Sequence, residues 1–420
     1  MQFLKNKEVI SISIEPMRLF FKEIKEPIET TMIGNYAVAG AVTQTDPDVI
    51  CAFPITPQTQ AVEGLSDVVN QGRLKAAFVN VESELAAISY STAACAAGAR
   101  TFTATASQGY LLMTEALPMA VGWRVPLTMM ISARAFNSPN LSIWNSWEFT
   151  QTNSELGWNT IVSENVQETY DAAILAVMIS EDSLFPTMFV HDGFVISHSV
   201  QNLTLIPDEV VRKLTPKKPR HTINTKRPGT WGGIVTPSFF MEGRKNLDEA
   251  REPVLGIMEK AFADFGKATG RNYKMIETYN LDNSSKTAFL TMGSMCGNII
   301  SWMTKNKDMG LIKIRTFRPF PYLELQKIVE AHNIEKLIIL EKSDSLNGML
   351  PPFSMTIASA LYPLKTLFRS YIVGLGGRDV TRDEFDIAKK KMENVTDMKG
   401  QLYMYLGVRE TKEKLHGVER

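Results

Sequence analysis

Three cysteines in 420 residues, Cys51, Cys95 and Cys296, leave no C-x-x-C pair. That scarcity argues against a zinc site, an iron–sulfur site or a disulfide framework within the chain, so no metal ligand set is expected here. Neither sign of charge predominates, since Lys+Arg and Asp+Glu both number 45. With no global field, nucleic acid is not an expected partner. No apolar run approaches the roughly 18 residues of a membrane span, and residues 1–29 mix Lys and Glu without a signal-peptide core. No membrane span and a cytoplasmic location are therefore expected. The glycines of Gly374-Leu375-Gly376-Gly377-Arg378-Asp379 lack the dinucleotide spacing, which speaks against NAD.

What the chain has is length and an α/β rhythm. Its 420 residues, 44% hydrophobic, can bury two substantial cores. Residues 1–30 read as an N-terminal arm, with 9–14 alternating like a strand. From Gly34, short apolar runs at 49–52, 77–81, 101–106, 127–132 and 187–190 alternate with helical stretches, the rhythm of a parallel sheet covered on both faces. This predicts a first domain over 31–211. Between Arg212 and Arg227 there are seven Lys/Arg, no acid and Pro216 and Pro219, so 212–232 reads as a basic, Pro-rich linker. The rhythm resumes at 287–292, 312–315, 337–340 and 371–373, which predicts a smaller α/β domain over 233–388. Residues 389–420 are charged and read as a surface helix and tail.

Two segments carry the chemistry. Phe53-Pro54-Ile55-Thr56-Pro57 and Asn80-Val81-Glu82-Ser83-Glu84-Leu85 each follow an apolar run and precede a helical stretch. Open α/β sheets place ligands at such strand ends, and the two segments share a pocket if their strands are neighbours. Glu84 opens a helix rich in small residues, 86–99, which lets another backbone come close. A first-turn carboxylate also simply suits the positive end of a helix. Ser107-Gln108-Gly109 ends a β-branched strand, with Gly109 permitting a tight turn into the next helix. Arg134 follows another apolar run, and its planar fork suits a carboxylate ligand or a structural ion pair. His191-Asp192-Gly193 has no nucleophile spacing and reads as a strand-end turn.

Through these residues the chain resembles the α subunit of the 2-oxoacid:ferredoxin oxidoreductases, the family of pyruvate:ferredoxin oxidoreductase. The resemblance runs from about Gly34 to Asp386. It includes Gly34-Asn35, Phe53 to Thr59, Val79 to Glu84, Thr103 to Gly109, Asp192-Gly193-Phe194 with Ser197-His198, Gly293-Ser294-Met295, Phe317-Arg318-Pro319-Phe320-Pro321 and Gly374 to Asp379. It implies an α/β fold: a thiamine diphosphate-binding, pyrimidine-type parallel-sheet domain followed by a transketolase C-terminal-like domain. It also implies a coenzyme shared with a β-like subunit that holds the diphosphate, Mg²⁺ and an Fe–S cluster, with γ- and δ-like subunits, coenzyme A, and ferredoxin or another electron acceptor. The reaction implied is oxidative decarboxylation of a 2-oxoacid to acyl-CoA and CO₂. A diphosphate module carries Gly-Asp-Gly and a later Asn, which this chain lacks, so partner subunits are expected.

By that resemblance Glu84 hydrogen-bonds the pyrimidine nitrogen and activates the coenzyme. Pro54, Ile55, Ser107, Gln108 and Gly109 border the coenzyme, and Thr56 and Arg134 hold the substrate. The chain departs from many family members at Leu85, where they have His, and at Ser146-Trp147, where they have an acid. The aromatic segment with Trp144, Trp147 and Phe149 either packs on a partner or shapes a pocket for a larger oxoacid, such as phenylglyoxylate or 2-oxoisovalerate. Pyruvate is favoured. A catalytically silent assembly subunit and a self-contained transketolase-like enzyme are the other readings.

Overall fold

The computed structural model describes residues 15–409 apart from 152–153, 219, 283–285 and 347. The strand expected over 9–14 lies outside the described residues. Eight strands come from the first half of the chain: β1 (Ile28–Ile33), β2 (Val49–Ala52), β3 (Ala77–Asn80), β4 (Thr101–Ala106), β5 (Thr128–Ala133), β6 (Asn159–Val162), β7 (Thr187–Asp192) and β8 (Val200–Leu205). Seven follow: β9 (Ile276–Tyr279), β10 (Thr287–Met292), β11 (Gly310–Ile314), β12 (Thr316–Arg318), β13 (Lys336–Glu341), β14 (Leu367–Ile372) and β15 (Tyr403–Tyr405).

The first sheet has the order β12-β6-β7-β5-β4-β2-β3. All its pairings are parallel except that of β12 with β6. Every residue of β4, β5 and β7 is buried, as strands covered by helices on both faces must be. From β2 the chain steps out to β3, then crosses back to β4 on the other side of β2. That reversal is a topological switch point, and the strand ends there open a crevice. Phe20, from the N-terminal arm, lies where a side chain at Gly40 would go, so its ring rests on the backbone of helix Gly34–Gln44.

The second sheet, in the order β15-β14-β13-β10-β11-β9, is parallel except for the edge strand β9. Two expectations about boundaries need correction. Helix Val254–Thr269, read as part of the second domain, packs on helix Val166–Ser183 of the first, because both carry apolar faces there. Likewise β12 leaves the second half of the chain to extend the first sheet. The segment from Lys389 is not only helix and tail: helix Arg382–Glu393 already begins at residue 382, and Tyr403, Met404 and Tyr405 form β15 against β14. Among the described residues no helix is long and apolar enough to cross a membrane.

Buried charges join the two sheets. Glu168, on the central helix, accepts from Lys313 Nζ at 2.6 Å and from both terminal nitrogens of Arg315 at 2.7 and 2.9 Å. Glu164 and Glu277 complete the cluster, each within 2.7 Å of one of the cations. Burial pushes the Glu164 carboxyl up. For Glu168, burial acts in the same direction, but Arg315 and Lys313 outweigh it and hold the group at about 2.

Candidate active site

The crevice at the switch point collects the residues singled out from sequence. β2 and β3 are hydrogen-bonded neighbours with Ala52 opposite Asn80, which brings the two key segments side by side. Ser83 caps helix Glu84–Ala96, its hydroxyl accepting from Ala86 N at 3.2 Å, and this fixes Glu84 as the first helical residue. Glu84 is only 5% exposed. Among the described residues no hydrogen bond reaches its carboxylate, which therefore keeps its lone pairs for a ligand. A methyl group at Gly109 would collide with Thr105 Oγ1 and lie 2.5 Å from Glu84 Oε1. The absent side chain at Gly109 therefore makes the space in which Glu84 lies.

Arg134 closes the other side. It donates from Nη1 to the Thr56 carbonyl at 2.8 Å, and its backbone N–H donates to Ser107 Oγ at 3.1 Å. Its Nε is buried without a partner. Burial lowers the guanidinium's pKa, and the nearby Glu84 carboxylate pulls the other way. A buried guanidinium with a donor to spare, close to a buried carboxylate, is a site ready for a small anion. Thr56 is exposed, as is Pro54, with half-buried Ile55 between them in the same turn. Half-buried Gln108 accepts from Asn137 N at 3.3 Å and so ties the turn after β4 to the loop after β5.

Several groups at the crevice were not legible as site residues. Asn35 donates to the Pro57 carbonyl at 2.8 Å while its own Oδ1 is buried and unpartnered. Asp192, read as part of a plain turn, is a buried anchor between the two sheets. It accepts from Trp147 Nε1 at 2.8 Å, Ser294 N at 3.2 Å, Lys342 Nζ at 3.0 Å and the Ser294 hydroxyl. Burial opposes its ionisation, and Lys342 with the other donors more than offsets this. The loop it anchors is tight, since a methyl at Gly193 would lie 2.5 Å from Ala133 O and 2.8 Å from Pro57 Cγ. His191 is no acid or base here: burial depresses it to about 4 and its Nε2 pairs with Ser132 Oγ at 3.0 Å.

The aromatic segment divides. Trp147 and Phe149 are buried against Phe353 and Phe317 of the second half, so they neither face a partner nor line a pocket. Trp144 alone of the three is exposed, its ring tilted against Phe194 at 4.3 Å, and Phe194 in turn stacks 4.6 Å from His198. Gly377, whose N–H donates to the Asn145 carbonyl at 2.7 Å, presses on Trp144 from the second domain.

The donor set suits the polar ring of thiamine diphosphate: one buried carboxylate free of protein partners, a gap beside it made by glycine, and aromatic and small side chains around. Comparison with known proteins agrees. Residues 40–263 match the family model for pyruvate flavodoxin/ferredoxin oxidoreductase, thiamine diphosphate-binding, and 285–385 match pyruvate:ferredoxin oxidoreductase core domain II. Pyruvate synthase subunit PorA of Pyrococcus abyssi is 39% identical over 380 residues, covering 87% of this chain and 95% of its own. Ketoisovalerate oxidoreductase subunit VorA of Pyrococcus horikoshii is 33% identical over 380 residues, covering 88% and 95%. A solved 2-oxoglutarate:ferredoxin oxidoreductase from Magnetococcus marinus superposes with a TM-score of 0.66 at 18% identity, and this chain spans 88% of itself and 65% of that chain. The chain belongs to the thiamine diphosphate-binding pyruvate flavodoxin/ferredoxin oxidoreductase family.

Proposed function

We infer that this chain is the coenzyme-activating α subunit of a 2-oxoacid:ferredoxin oxidoreductase, with pyruvate the favoured substrate. The observation that carries the reading is the Glu84 carboxylate, on a buried residue and set directly against Gly109 at the end of β3. Bound thiamine diphosphate supplies a nucleophilic carbon and a sink for the electrons released when CO₂ departs. Glu84 would hold the coenzyme's pyrimidine ring by a hydrogen bond at a ring nitrogen, where its negative charge would favour a proton. Arg134 faces the substrate carboxylate, oriented by its bond to the Thr56 carbonyl. The turn 54–57 and residues Ser107, Gln108 and Gly109 wall the crevice and keep water from it. Partner subunits of β, γ and δ type provide the diphosphate grip, Mg²⁺ and the Fe–S clusters, and coenzyme A accepts the acyl group.

The purified complex should reduce a low-potential acceptor with pyruvate and coenzyme A at a higher kcat/KM than with 2-oxoisovalerate, 2-oxoglutarate or phenylglyoxylate. A higher value with any of the other three would reassign the substrate, and silence with all four would remove the enzymatic reading.

Two substitutions test the walls of the site. Arg134→Ala is expected to raise the KM for the oxoacid by about 10–100-fold, because a charge-assisted hydrogen bond is worth roughly 1.5–3 kcal/mol. Steady-state kinetics with an unchanged KM would take Arg134 out of the substrate pocket. Gly109→Ala introduces overpacking of about 1–3 kcal/mol directly against Glu84. It should lower kcat/KM by roughly tenfold or more, and wild-type turnover would mean that the reaction does not need Glu84 in this position.

A further inference from the structure

A second cavity, of about 350 Å³, lies at the opposite end of the first sheet from Glu84. Its walls include Arg124 and Val125, which lead into β5, and Leu184, which leads into β7, so it opens at the N-terminal edge of the strands. The segment read from sequence as a linker forms the outer wall with Arg220, His221 and Trp231.

Two guanidiniums line this cavity, and among the described residues neither forms an ion pair. Arg124 donates from Nε and Nη2 to the Leu184 and Ser183 carbonyls at 3.1 and 2.9 Å, with its head 4.3 Å over the Phe185 ring. Its backbone sits at φ 56°, a left-handed conformation that a side chain of this size rarely adopts. Arg220 donates to the Ala99 carbonyl at 2.6 Å and leaves Nε buried without a partner. Glu181 and Asp182, which line an adjoining pocket with Arg220, are already engaged: Glu181 pairs with Arg100 at 2.7 Å and Asp182 with Lys218. Two cations lining one partly desolvated cavity make it favourable to an anion. The remaining wall is aromatic. Trp231 meets Trp123 edge to face at 6.1 Å, and His221 lies parallel to Trp231 at 5.6 Å and 4°.

We propose that this cavity binds a nucleoside monophosphate, its dianionic phosphate between Arg124 and Arg220 and its base against Trp231. A doubly charged phosphate matches two guanidiniums where a carboxylate would match one. Indole and imidazole faces stack on any base. The volume suits a ligand of this size.

Calorimetric titration of the intact complex with 5′-AMP tests it, with inorganic phosphate, adenosine and benzoate as parallel titrants. AMP should bind with a Kd of roughly 10–100 μM, and phosphate and adenosine each at least about tenfold more weakly, because each offers only half of the contacts. Saturating coenzyme A should leave AMP binding unchanged. Arg124→Gln and Trp231→Leu should each weaken AMP about tenfold or more. Trp231 stands in an outer segment, so its variant remains informative if loss of the Arg124 carbonyl contacts impairs folding. Absence of AMP binding up to about 5 mM, wild-type affinity in both variants, displacement by coenzyme A, or tighter binding of benzoate than AMP would each overturn the proposal.

Discussion

Replacing Glu84 by glutamine is expected to reduce oxoacid-dependent acceptor reduction by about 10²–10⁴-fold, the span associated with loss of a positioned proton-handling group. The amide matches the carboxylate in size, so the gap at Gly109 stays filled as before and no cavity or clash arises. What disappears is the negative charge that favours a proton on the pyrimidine nitrogen. Thiamine diphosphate binding, followed by calorimetry, should weaken far less than turnover, and the subunits should still co-elute. The competing role for a first-turn carboxylate, favouring the positive end of helix Glu84–Ala96, is worth about 0.3–1 kcal/mol of stability and nothing in activity. The two roles thus predict opposite patterns. Full turnover with a slightly lowered unfolding midpoint would return Glu84 to the helix-end role.

The parts of this molecule that could be read from sequence are those encoded locally. Buried central strands announce themselves as short apolar runs, and β2, β4, β5, β7, β10, β11 and β13 coincide with or largely overlap such runs, whereas β14 begins at Leu367, four residues before the run read at 371–373. The strand-end positions of Glu84, Ser107 and Arg134 followed from the same signal, since a residue just after a parallel strand faces the crevice wherever the sheet reverses. The edge strand β3 also lies on such a run, whereas buried β6 and several edge elements gave no such signal. β9, β12 and β15 are short or polar strands that exist only because a neighbour offers free backbone groups. Asp192 and Lys342 are 150 residues apart, and nothing local distinguishes a carboxylate in a turn from one that clamps two sheets together. The same holds for Trp231 and Arg220, whose basic, proline-rich surroundings indicate a linker although their side chains wall a cavity.

The ion cluster between the sheets carries the largest expected effect on stability. Glu168→Gln leaves Lys313 and Arg315 buried with Glu164 and Glu277 as their only acids in the cluster, and burial already pushes Glu164 toward its neutral form. Breaking a buried pair from one side typically costs about 3–5 kcal/mol, because the remaining charge stays desolvated. Urea unfolding at neutral pH should register that loss in the midpoint. The pH dependence then separates charge pairing from packing. Glu168 is held at about 2 in the folded protein, below its ordinary value near 4.5, so between these limits the unfolded chain binds more protons than the native one. Its contribution is complete above the ordinary value and disappears as pH falls toward 2. The gap in stability between wild type and Glu168→Gln should therefore be widest at neutral pH and narrow through the acid range, whereas a gap of constant width would mean that the carboxylate acts through its shape alone.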